Sequence, residues 1–147
     1  MVEAQLDWRG ELTFSARVQG HELIVTPAKR DIDVGPSPMG LLLVAYASCT
    51  SMDVISILQK KRLAVESFHV YIAGQRRETG HPKVYETMEL VFTVRGDAIP
   101  AKAVSDAIAL SRDRYCSVSA MVAGPRVVQR YRIESPEGRL IAEGAVD

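Results

Sequence analysis

Two cysteines carry the widest chemical reach in this 147-residue chain, because a thiolate is at once a nucleophile and a metal ligand. Cys49 sits within a long apolar run, and Cys116 follows Tyr115 where helical spacing gives out. Free cysteine more often packs as a small hydrophobe, and composition alone favours that inert reading for both. With 66 residues between them and no other cysteine, they make no disulfide framework. Reduced thiols in a cytoplasmic protein are expected. Asp53 follows Cys49 by one helical turn on the same face. Its carboxylate would oppose a thiolate there, so a polar partner at the helix surface or a subunit seam is expected for it.

Other constellations are weaker. His21, His69 and His81 share no metal-ligand spacing with one another or with the cysteines, so no metal site is expected. Gly35-Pro36-Ser37-Pro38 is too rich in proline to cradle a phosphate. Ser117 and Ser119 lack the adjacent histidine or glycine elbow of a hydrolase. A nucleophile–base pair of Cys49 and His69 stays open on the residues alone.

The elements that must position these groups follow from periodicity. Ala4, Leu6 and Trp8 alternate with polar residues, Leu12, Phe14 and Ala16 repeat the pattern, and a Gln19-Gly20 turn leads into Glu22 to Thr26. Three short antiparallel strands in a meander are expected. After a loop, Ser37-Pro38 supplies an N-cap and a first-turn proline. The helix should run to about Arg62, roughly 37 Å at 1.5 Å per residue. Its first two-thirds is apolar nearly all round, which predicts burial on most sides and a second subunit to complete it. Strands follow at Val65 to Arg77 and Val84 to Arg95, separated by a turn at Glu78 to Pro82. Pro100 opens a second helix to about Tyr115, Ser117 to Val122 reads as a short helical segment, and a strand covers Val127 to Glu134. The tail adds one more arm through Leu140 to Ala142. Strands and helices are grouped, so the fold class is α+β.

Length fits one domain over 1–147, with strands and a loop at 1–36, a central helix at 37–62, strands and helices at 63–134 and an extension at 135–147. Formal net charge is zero, which argues against a nucleic-acid partner. The longest basic cluster, Lys60-Lys61-Arg62, suits a helix C-terminus. Ser48, Thr50, Ser51, Asp53 and Ser56 interrupt the most apolar stretch, and the first ten residues have no hydrophobic core segment. Neither a membrane span nor a secretory signal is expected.

Two segments carry a resemblance. Ser37-Pro38-Met39-Gly40-Leu41-Leu42-Leu43, followed by Ala47-Ser48-Cys49-Thr50-Ser51-Met52-Asp53-Val54, resembles the central-helix motif of the OsmC/Ohr family (osmotically inducible protein C and organic hydroperoxide resistance proteins). Arg112-Asp113-Arg114-Tyr115-Cys116-Ser117-Val118-Ser119 is similar to that family's second-cysteine motif. The likeness runs from about Asp7 to Glu134 and is strongest to a branch with a Ser-Pro-Met start and a Tyr-Cys-Ser-Val second motif. It implies an intertwined homodimer in which antiparallel sheets wrap long central helices, with active sites at the interface.

The resemblance also implies peroxidase chemistry in a stress or detoxification role. Cys49 would attack a small organic hydroperoxide, Cys116 would resolve the sulfenic acid as a disulfide, and an external dithiol would reduce it, with no bound cofactor. Arg30, 19 residues before Cys49 with Lys29 beside it, nearly matches the arginine with which peroxidase members support the thiolate. Those members pair that arginine with a glutamate directly after the helix-start proline, or one position later in the closer branch. Here those positions hold Met39 and Gly40. That departure supports a second reading, a redox-inert or weakly active dimer binding a small apolar ligand in the same pocket. A thiol-dependent hydrolase is a third.

Overall fold

The computed structural model describes residues 1–28 and 34–146, which form two compact units, Met1–Leu42 and Leu43–Asp147. The first unit holds β1 (Ala4–Trp8), β2 (Phe14–Val18) and β3 (His21–Val25), an antiparallel meander in sequence order. Gln19 and Gly20 both take positive φ, at 50° and 82°, between the paired Val18 and His21. That is the twisted two-residue turn that matches the twist of its flanking strands. Leu6, Ala16 and Leu23 line up across one face, as do Trp8, Phe14 and Val25.

Helix α1 (Pro38–Lys60) begins in the first unit and continues in the second. Ser37 caps it: the Gly40 amide donates to Ser37 Oγ at 3.1 Å, which satisfies one orphan donor of the first turn. The helix stops because Arg62 adopts φ 58°. The Leu63 amide then reaches back to the Leu58 carbonyl at 3.2 Å and the Arg62 amide to the Gln59 carbonyl at 2.8 Å. This pair of bonds is a Schellman closure, here with arginine where glycine is usual.

The expectation that α1 is buried on most sides needs correction for the single chain. Tyr46, Thr50, Val54 and Leu58, one every four residues, are its buried positions. Val44 and Met52 remain 60% and 68% exposed. A stripe at i, i+4 is all that one layer of neighbours can cover. By length and composition α1 could cross a membrane. Its buried stripe nevertheless packs within the chain, and it carries the charged Asp53.

The second unit holds β4 (Val65–Arg76), β5 (Tyr85–Gly96), α2 (Ala101–Leu110), a π-helical turn (Ser111–Tyr115), α3 (Ser117–Met121), β6 (Arg126–Glu134) and β7 (Leu140–Val146). Its sheet has the order β4-β5-β6-β7. On β5 the alternating Met88, Leu90, Phe92 and Val94 are at most 1% exposed and form the centre of the core. Helix α2 closes over β6 and β7 and buries Val104, Ala107 and Ile108 at helical spacing. At Gly74 an added Cβ would lie 2.6 Å from the Tyr85 ring and 3.2 Å from Leu43 Cδ2, so the missing side chain is what lets that ring pack on β4.

The α+β class is as expected. One pairing is not antiparallel: β5 and β6 run parallel, from Thr87↔Arg126 to Arg95↔Glu134. The helical segments between these strands form a crossover that returns the chain in the same direction, which a hairpin cannot do. The expected tail arm is the full strand β7, antiparallel to β6.

Candidate functional site

The site forms where α1 meets the break between α2 and α3. Cys49 and Asp53 are one turn apart on α1, and Cys116 ends the π-helical turn. The ligand-capable atoms of Cys49, Asp53 and Cys116 all lie within 4.8 Å of one another. Both thiols are free; Cys116 is 3% exposed and Cys49 half-buried. The structure thus brings together two sulfurs that are far apart in sequence, on elements of different type.

The local fold explains the placement. The Cys116 amide donates to the Ser111 carbonyl at 2.8 Å, an i→i−5 bond that widens the turn. The extra residue ends the run of α2 and leaves Cys116 extended, at φ −70° and ψ 102°, as the N-cap of α3. There its sulfur accepts from the Ser119 amide at 3.3 Å and from Thr50 Oγ1 at 3.4 Å. Burial pushes the Cys116 thiol above its ordinary pKa. Donation from Thr50 pulls it down, the neighbouring Cys49 raises it again, and the Ser119 amide lowers it.

Around this pair, Ser111 Oγ donates to Asp53 Oδ2 at 2.9 Å. Ser111 is fully buried, so it fixes the carboxylate on the side of the thiols. Tyr46 OH and Ser119 Oγ are 3.0 Å apart, which joins α1 to α3. Burial holds the Tyr46 phenol above its ordinary pKa against the opposing Ser119 bond. A groove of about 520 Å³ is lined by Asp53, Ile57, Leu110, Tyr115, Lys60 and Lys61 among others.

Arg30, expected beside Cys49, lies outside the described residues, as does Lys29. Sequence reasoning left Asp53 without a named partner and missed Thr50, Ser111 and Ser119 as supports of the site. A signal for Ser111 was present: a hydroxyl stands among the apolar positions of the α2 periodicity. The grouping of Cys116 with Cys49 and Asp53 leaves no mark in the spacing of the sequence, because Cys116 lies on a different element.

Comparison with known proteins agrees with this architecture. The family model described as OsmC-like protein matches residues 29–129. Protein YhfA of Escherichia coli (strain K12) is 35% identical over 122 residues, which cover 82% of this chain and 89% of that one. A hypothetical protein from Aquifex aeolicus VF5 is 33% identical in its crystal structure, with a TM-score of 0.79 over 92% of this chain and 97% of that one. The organic hydroperoxide resistance protein OhrB of Bacillus subtilis shares the fold at 12% identity, with a TM-score of 0.65 over 89% of this chain and 97% of its own. The expected OsmC/Ohr kinship is thereby borne out, and this chain belongs to the OsmC-like proteins.

Proposed function

We propose that this protein is a thiol-dependent peroxidase for small organic hydroperoxides, acting in the cytoplasm as a homodimer. The observation that carries the reading is the approach of the Cys49 and Cys116 sulfurs to within 4.8 Å. Membership of the OsmC-like family supports a role in stress response. The greater exposure of Cys49 suits it to meet the peroxide first. Its thiolate attacks the outer peroxide oxygen, the O–O bond breaks, and the alkoxide leaves as an alcohol after gaining a proton. The Cys116 sulfur attacks the resulting sulfenic acid, and the Cys116 thiol proton leaves with the sulfenic hydroxyl as water when the disulfide forms. An external dithiol then restores both thiols by exchange.

Apolar side chains exposed on α1 support the homodimer, since Val44 and Met52 would gain cover from a second copy. The binding of a small apolar ligand at the same site is the second reading. It is favoured by the Asp53 carboxylate beside the thiols and by Met39 and Gly40 standing where peroxidase relatives carry glutamate.

Peroxide consumption in the presence of a dithiol separates the two. Wild type should turn over cumene hydroperoxide, and Cys49→Ser should lose essentially all of that activity. Cys116→Ser should complete one turnover and accumulate a sulfenic acid that dimedone traps. Equal slow loss in all three proteins would leave the ligand-binding reading in its place.

A further inference from the structure

We propose that Cys49, Asp53 and Cys116 form a binding site for a soft divalent cation, Zn2+, with one coordination position left open. The peroxidase reading is not needed for this inference. Cys49 and Asp53 stand at i and i+4 on α1, a spacing that sets two donors on one helix face. Cys116 brings the third donor from the π-helical turn, and all three ligand atoms lie within 4.8 Å of one another.

Zinc takes sulfur at about 2.3 Å and carboxylate oxygen at about 2.0–2.2 Å, so tetrahedral ligand atoms lie roughly 3.3–3.8 Å apart. Closing the present set to that spacing needs side-chain adjustment of about an ångström or so on that scale. The two sulfurs select a soft or borderline cation over Mg2+ or Ca2+.

The surroundings are those of a ligated set. Ser111 Oγ holds one oxygen of Asp53 at 2.9 Å, as outer partners orient carboxylate ligands, and a carboxylate has a second oxygen to offer. Thr50 and the Ser119 amide both donate to the Cys116 sulfur. Two thiolates and a carboxylate would place three negative charges in one part-buried cluster; a dication offsets two of them. Binding releases the two thiol protons and changes no oxidation state. Three protein ligands leave a fourth position for water. With its sulfur bound, Cys49 is no longer free to attack a peroxide, so cation binding and thiol chemistry exclude each other.

Titration of the reduced full-length protein with Co2+, without peroxide and without oxygen, tests the site. One Co2+ per chain should give thiolate charge-transfer absorption, and Zn2+ should abolish it by displacement. Asp53→Asn should weaken binding by more than tenfold and Ser111→Ala by about tenfold, the usual effect of losing an outer-shell partner. Cys49→Ser and Cys116→Ser should remove the absorption. If either cysteine variant fails to fold, alkylation of the wild type decides: Zn2+ should slow the modification of Cys49 several-fold. Equal alkylation rates with and without Zn2+, or Co2+ affinity unchanged in Asp53→Asn, would overturn the site. Because no peroxide is present, these outcomes are independent of the turnover assay.

Discussion

Two sides of α1 have nearly the same kinds of residue and meet different surroundings. On the inner side, Tyr46, Thr50, Val54 and Leu58 are at most 1% exposed, and Thr50 reaches across to Cys116. On the outer side, Val44 and Met52 stand in the open. Apolar character alone does not distinguish them. The inner stripe builds the chain's own core and one edge of the thiol site. The outer side is apolar surface, which the proposed homodimer would cover.

Substitutions on the two sides should therefore fail differently. Leu58→Ala, on the inner side, should cost about 2–5 kcal/mol of unfolding free energy, as large-to-small changes in a packed core do. Urea denaturation would read that loss. Val44→Asp with Met52→Asp should instead lower the mass seen by light scattering toward that of one chain. An unchanged dimer would remove the outer stripe from the interface.

The edge of the inner side is sharpened by pH. The folded state raises the Cys116 thiol pKa, chiefly by burial, so the native protein keeps that proton when the unfolded chain has lost it. The associated stability is fully present below the ordinary thiol pKa and is lost as pH rises toward the raised one. Thr50→Val removes a donor that favours the thiolate and should deepen this loss. Denaturation of the reduced protein from neutral pH to about 10, near the ordinary thiol range, would show it. A smaller change is expected at the helix end. Arg62 holds φ 58°, so Arg62→Gly should stabilise the fold by about 0.5–1 kcal/mol, seen as a modest rise in Tm.

Much of this was legible beforehand. Alternation in Met88 through Val94 marked β5 because period-two burial leaves a direct imprint on residue type. Ser37-Pro38 marked the start of α1 because capping is a local hydrogen-bond problem. The end of α1 near Arg62 was marked by Lys60-Lys61-Arg62, cations that suit a helix C-terminus, although no glycine stands there. The parallel pairing of β5 and β6 was hidden because strand direction is set by how α2, the π-helical turn and α3 cross over, and no periodicity records it. The likeness of the two cysteine segments to one family pointed to a shared site, while its supports Thr50, Ser111 and Ser119 drew no attention.

What the sequence determined by itself was local: where helices and strands form, how α1 begins, and the setting of Cys49 and Asp53 on one helix face, since these depend on neighbours within a few residues. The tertiary structure alone decided which side of α1 is covered, and that Cys116 and Ser111 come to Cys49 and Asp53. Those contacts join residues 58 or more positions apart, and only the packing of α1 against the broken α2–α3 segment brings them together.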